Sequence, residues 1–340
     1  MTQSAKFEFF TGKLNPGDKP LPNPLKGLPA PPPWRQFAKT AHRELDPAFI
    51  RPWNPTVREQ DIAEAYRIGS QTKIIAAVNA ALILRRPLLV TGPAGAGKSS
   101  LINSIARELQ LGPILTWNIT SRSTLREGLY DYDAFGRLQE IQGQVAKTAE
   151  TLTVERFMKL GPLGTAFVAT RWPRALLIDE IDKADLDLPN DLLNLFEEGR
   201  FTIEELRRDS ASAHVSVRCW KDLYDPAEVT GGHVTCEVFP FVLLTSNGER
   251  EFSAPFLRRC IQLEIGPPSE AQDLAEIVKA HMIGTGVDVE AEAEEFLAKR
   301  AEHKLSTDQL LNAIFVLERC KFDDDVSKQL LLNSLYRPVA

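Results

Sequence analysis

Residues 92 to 99, GPAGAGKS, carry the spacing G-x-x-x-x-G-K-S. Glycine-rich backbone can close its N–H groups on the oxygens of a phosphate chain, and a following helix adds its partial positive charge. Gly92, Pro93, Ala94, Gly95, Ala96, Gly97, Lys98, Ser99 and Ser100 are therefore the expected nucleotide-binding loop. Lys98 is expected to reach the β- and γ-phosphates and the Ser99 hydroxyl to bind Mg2+. About 80 residues later, ALLIDEID (175 to 182) runs an apolar strand into paired acids. Asp179 is the expected Mg2+ partner, directly or through water, and Glu180 the group that orients or deprotonates an attacking water. Alone, such a stretch is also simply a charged strand end. LLTSNGE (243 to 249) brings Asn247 to the end of another strand, where it can bond the lytic water or the γ-phosphate. Asn-Gly is equally a turn signature. APFLRRCIQLEI (254 to 265) sets Arg258 and Arg259 before a last apolar run, a place where arginines also serve as an ordinary solvated helix end.

These residues need a scaffold, and the apolar pattern supplies one. Short buried runs at Leu88 to Val90, Pro113 to Ile119, Ala175 to Ile178, Phe241 to Ser246 and Cys260 to Ile265 read as central strands. Helical or looped segments separate them, which predicts a parallel α/β sheet. A helix is expected over 70 to 84, with Ser70 as N-cap and Ile74, Ile75, Val78, Ala81 and Leu82 on its apolar face. Another is expected over 99 to 109, directly behind the loop. After Pro267-Pro268 only helical periodicity remains, so 267 to 340 is expected to be a small all-helical domain. Residues 12 to 55 are dense in proline and read as an extended arm, either a strap on the domain surface or a docking segment centred on Pro31 to Trp34. The expected division is an arm over 1 to 59, a core over 60 to 266 and the helical domain over 267 to 340.

The chain has 340 residues and a net charge of −6, which gives no reason to expect nucleic acid as the main partner. No run approaches the ~18 apolar residues of a membrane span, and MTQSAKFEFF lacks the pattern of a signal peptide. Four scattered cysteines suit a reducing cytoplasm.

The four motifs, in this order and spacing, resemble the AAA+ ATPases. RRPLLVTGPAGAGKSS, GPLGTA, LLIDEIDKAD, LLNLFEEGRFTIEE and TSNGEREFSAPFLRRC look like the MoxR branch, over about residues 60 to 320. The resemblance implies an αβα core with a five-stranded parallel sheet, followed by a helical lid. It implies Mg2+-dependent hydrolysis of ATP held between subunits of a homo-oligomeric ring, usually a hexamer. It makes Asn247 the first sensor and Arg259, with Arg258 as rival, the arginine finger that completes a neighbour's site. It places the adenine pocket near Tyr66, Ile68 and Ile75, where simple core packing is the competing reading. It implies a chaperone-like action on a protein partner, often one with a von Willebrand factor A domain.

Two features depart from the family. The second-sensor arginine of the lid aligns with Asp308, an acid that cannot pair with a γ-phosphate, and only Lys304 lies nearby. Insertions are expected at about 131 to 160 and 204 to 237; in the second, VSVRCW and HVTCEVF alternate like the two strands of a hairpin. In MoxR relatives such insertions are candidates for touching a substrate. His214, Cys219, His233 and Cys236 in the second could make a zinc knuckle, although their spacing matches no strong ligand pattern. The alternatives to a remodelling ATPase are a nucleotide-dependent switch with little turnover, in a bacterial signalling or conflict system, and a nucleic-acid motor using the basic cluster Arg207, Arg208 and Arg218.

Overall fold

The computed structural model describes residues 7–15, 17–37, 45–66, 72–143, 153–208, 214–268, 270–281, 288–302, 305–320 and 325–336. After the arm come α1 (Val57–Ala65), capped by a reciprocal Thr56–Glu59 pair, and α2 (Thr72–Leu84). Ser70, the expected cap of α2, lies outside the described residues, as do Ile68 and Lys304. The core continues with β1 (Leu88–Thr91), α3 (Leu101–Leu109), β2 (Leu115–Asn118), α4 (Leu125–Leu129), β3 (Tyr130–Tyr132), α5 (Ala134–Gly143), β4 (Met158–Leu160), α6 (Pro162–Phe167) and β5 (Ala175–Asp179). It goes on through α7 (Asp187–Glu198), β6 (Arg200–Thr202), α8 (Glu204–Arg208), β7 (His214–Val217), β8 (Ala227–Thr230), β9 (His233–Thr235), β10 (Phe241–Ser246), α9 (Ala254–Arg259) and β11 (Ile261–Glu264). Among the described residues, four helices follow: α10 (Ala271–His281), α11 (Val289–Glu302), α12 (Thr307–Arg319) and α13 (Asp325–Leu335).

The five expected strands form one sheet, all parallel, in the order β11-β1-β10-β5-β2. Strand side chains alternate between faces. Leu176, Ile178, Val242 and Leu244 accordingly enter one core with α6 and α7, while Ala175, Leu177, Phe241 and Leu243 enter another with α2, α3 and the arm. Both faces are covered, which is why these strands read as continuous apolar runs. The C-terminal helices fit a lid and hold their own apolar cluster around Phe296, Leu310 and Ile314.

Two local expectations are corrected. The helix behind the glycine loop begins at Leu101 rather than Ser99; the intervening residues form turns, with the N–H groups of Ser100 and Leu101 donating to Gly97 O. The two alternating stretches after residue 204 do not pair with each other as a simple hairpin. They belong to a four-stranded antiparallel sheet, β6-β9-β8-β7, in which β8 separates them. The tight turn is Gly231-Gly232, both at positive φ, the geometry a two-residue hairpin loop demands.

Candidate active site

The sheet gathers the chemistry at its carboxyl edge. Asp179 ends β5, Thr245 lies near the end of β10, and the register brings these strands side by side. One oxygen of Asp179 accepts from Ser99 Oγ at 2.5 Å and from Thr245 Oγ1 at 2.6 Å. The Glu180 N–H donates to the same Thr245 oxygen at 2.8 Å. Glu180 has left-handed backbone, φ 59° and ψ 50°, an expensive conformation for a side chain of this type. It turns the chain sharply out of β5.

Lys98 Nζ donates to Gly92 O at 2.8 Å, Pro93 O at 2.7 Å and Asn247 Oδ1 at 2.7 Å. The Asn247 amide nitrogen donates to Glu180 Oε1 at 3.3 Å. Lys98, Ser99, Asp179, Glu180 and Asn247 thus form one connected cluster, although they come from three separate motifs. Burial lowers the pKa of the Lys98 ammonium from its ordinary value, against the opposing pull of Asp182, Asp179 and Glu180. Its direct contacts are all neutral oxygens.

Three supporting residues escaped the motif reading. Thr245 is one. Asp182 is 2% exposed and accepts from the N–H groups of Asn247 at 2.9 Å and Glu249 at 3.0 Å, fixing the loop that carries Asn247. Lys183 Nζ lies 2.6 Å from Glu180 Oε2, a bond that raises the lysine's pKa. The signal for Thr245 was present, since a polar residue inside a fully buried strand must find a partner; Asp182 is one acid among several in IDEIDKAD and carried no such signal.

The lid comes down on the loop. A Cβ at Gly95 would stand 2.9 Å from Ser306 Cβ and 3.5 Å from Asp308 Oδ1, which puts the start of α12 against the glycine loop. Tyr66 covers the other side, its ring 3.1 Å from where a Gly97 Cβ would be, and Ile75 packs half-buried in the same cluster as Tyr66 and Ala96. Arg259 sits apart from this cluster, at the end of α9, with Nε 3.2 Å from Glu197. Arg258 beside it is exposed.

His214, Cys219, His233 and Cys236 do not converge. The sulfur of Cys219 donates to Asp225 O and that of Cys236 to Val238 O, while the two imidazoles bond Thr230 and Thr202. Among the described residues no group of three or more His, Cys, Asp or Glu could hold a metal ion. Arg207 is ion-paired with Glu204. No described helix is long and apolar enough to cross a membrane.

The residues fit a magnesium nucleotide. A partly desolvated ammonium among neutral oxygens has no direct counter-anion, which a phosphate chain would supply. The Ser99–Asp179 donor pair is hard oxygen, of the kind Mg2+ takes alongside phosphates and water. A phosphate loop between a parallel strand and a helix, with acids at the end of β5, one strand removed from β1 across β10, defines a P-loop nucleotide-binding protein. Residues 87–260, just over half of the chain, match the AAA domain of the dynein-related subfamily, and the chain belongs to that family of P-loop ATPase domains. A comparison with curated proteins gave no match.

Proposed function

We propose that the chain is a MoxR-like AAA+ Mg-ATPase that assembles into a hexameric ring and remodels or activates a protein partner. The observation that carries the ATPase reading is the connected cluster of Lys98, Ser99, Asp179, Glu180 and Asn247 at the carboxyl edge of the sheet. Lys98 exchanges its bonds to Gly92 O and Pro93 O for phosphate oxygens. Ser99 and Asp179 hold Mg2+, which when bound neutralises charge on the phosphates. Glu180 takes the proton of the attacking water, and Asn247 aligns that water with the γ-phosphate. Tyr66 and Ile75 border the base. Arg259, or its neighbour Arg258, reaches the adjoining subunit's site and stabilises the charge that builds there.

The ring and the partner rest on other features. MoxR proteins belong to the dynein-related AAA group. The chain divides into an arm over 1 to 59, a core over 60 to 266 and a lid over 267 to 340. The two insertions, near 131 to 160 and 204 to 237, are the surfaces for substrate. In the first, α5 exposes Phe135, Leu138 and Ile141, an apolar row unusual on a free surface. A von Willebrand factor A domain protein is the partner class we favour, and the free thiols fit the cytoplasm. A second reading, a switch with little turnover, has its own support: Asp308 lies against the loop, and Lys183 holds Glu180.

The test is the ATPase rate per subunit as protein concentration rises, with mass photometry on the same samples and Lys98→Ala as the blank. A specific rate that climbs as rings form is the expected result. A flat rate near the blank, with tight ATP binding, supports the switch instead.

A further inference from the structure

The arm is built into the part of the core that carries Arg259. Arg35, 3% exposed, spreads its guanidinium across two helix ends. Its Nε and Nη2 donate to Arg85 O, just beyond α2, and its Nη1 donates to Phe196 O in the last turn of α7 at 2.8 Å. Its guanidinium carbon also lies over the adjoining rings of Phe37 and Phe239, 5.2 and 4.9 Å from their centroids. A cation there also suits the negative end of α7. Phe37 adds a second contact. Its ring occupies the place a Cβ on Gly199 would take, 2.2 Å away, and Gly199 is the left-handed residue that ends α7.

Glu197 lies between these groups. The same oxygen, Oε1, is 3.6 Å from Arg35 Nη1 and 3.2 Å from Arg259 Nε. Arg259 is further steadied by Nη1 donating to Pro255 O at 3.3 Å, and Arg86 holds the turn below by donating to Arg258 O. A long arginine side chain at 43% exposure would otherwise sample many rotamers.

We propose that Arg35 and Glu197 are positioning residues for Arg259, so that the proline-rich arm sets the aim of the arginine that serves the neighbouring subunit. This rests on the reading of Arg259 as a finger acting in trans. Neither residue touches nucleotide. Their effect passes through the shared carboxylate oxygen and the end of α7. The arm is therefore part of the hydrolytic machinery of the next subunit around the ring.

The experiment uses the full chain and measures kcat, KM and ATP affinity for Arg259→Ala, Glu197→Gln and Arg35→Gln. Glu197 is half-exposed, so its variant tests the idea even where Arg35→Gln fails to fold. Phe37→Ala is the second arm variant. Glu197→Gln is expected to lower kcat roughly 10- to 100-fold, the upper end being the scale of a catalytic group misplaced by about 1 Å, with ATP affinity unchanged. The Arg35→Gln/Glu197→Gln double variant is expected to be no slower than the worse single one. Mixing supplies the decisive readout. Glu180→Gln subunits keep a well-aimed finger, so adding them to Glu197→Gln subunits is expected to raise the rate per Glu197→Gln subunit. A full rate for Glu197→Gln beside a crippled Arg259→Ala overturns the proposal and leaves the finger standing. So does a slow Glu197→Gln that mixing does not rescue, while Arg259→Ala is rescued. A full rate for Arg259→Ala removes the finger itself, and the proposal falls with it.

Discussion

One oxygen of Asp179 accepts two hydroxyls, and one of them, Thr245 Oγ1, also accepts the backbone N–H of Glu180. Thr245 is 1% exposed, so water cannot replace it. The two acids are thus held by one buried hydroxyl behind them. Thr245→Val keeps the shape and removes the oxygen. It leaves the Glu180 N–H unpaired beside a left-handed turn, at a cost of about 1–3 kcal/mol. The expected outcome is a lower urea midpoint together with a fall in kcat larger than any change in KM. Thr245→Ser should recover most of both. A Val variant with unchanged kcat would show that Asp179 and Glu180 hold their places without it. The loop, the paired acids and Asn247 were legible because each motif is local, a few residues of fixed spacing. Thr245 was visible only as a polar residue in an apolar strand, and Asp182 only as one acid among several in IDEIDKAD. Their partners lie about 65 positions away in the chain, across two strands whose adjacency no local pattern specifies.

At the scale of elements, the helices and strands that frame the site follow from periodicity; a local turn delays the start of α3, and the larger error arises where pairing is non-local. The five buried runs predicted the central strands because both of their faces are covered. The small sheet after α7 was read as two strands, since β8 is a four-residue segment behind an irregular loop and β9 pairs largely with β6, across an intervening hairpin. The approach of α12 to the glycine loop had a sequence signal only through alignment of Asp308. The structure now gives that residue a place, 3.5 Å from a Gly95 Cβ. The start of α12 offers phosphate an attractive helix end, while Asp308 adds a charge of the wrong sign. Reversing it should matter. Asp308→Arg is expected to tighten ATP binding about 3- to 10-fold, the effect of exchanging a repelling group for a charge-assisted donor. Titration of the Glu180→Gln background with a fluorescent ATP analogue, which keeps hydrolysis from blurring the affinity, checks it. Unchanged or weaker binding would mean that α12 does not close over the phosphates.

Across the whole molecule, the arm is held from its first described residues. Phe9 and Phe10 are buried in the core beside α2, and both of their N–H groups donate to Asn79 Oδ1, at 2.7 and 3.0 Å. Asn79 returns a bond to Phe10 O and another to Ile75 O, each at 2.8 Å. The next turn continues the attachment, with Thr11 and Gly12 donating to Glu108. An asparagine inside the apolar run TKIIAAVNAALIL marks a buried polar partner, but composition alone could not say that the partner was a segment 69 residues upstream. Asn79→Ala leaves two buried donors without acceptors, a loss of about 2–4 kcal/mol. The arm and the core should then separate in their responses. Limited proteolysis is expected to cut first before residue 30, while the urea midpoint drops and the sheet remains protected. Because Arg35 lies further along the same strap, kcat should fall in the same variant as the arm loosens, with ATP affinity retained. Loss of proteolytic protection with full kcat would separate the first attachment point from the second and confine the arm's influence on Arg259 to residues 29–37, where Arg85 donates to Pro29 O and Phe37 covers Gly199.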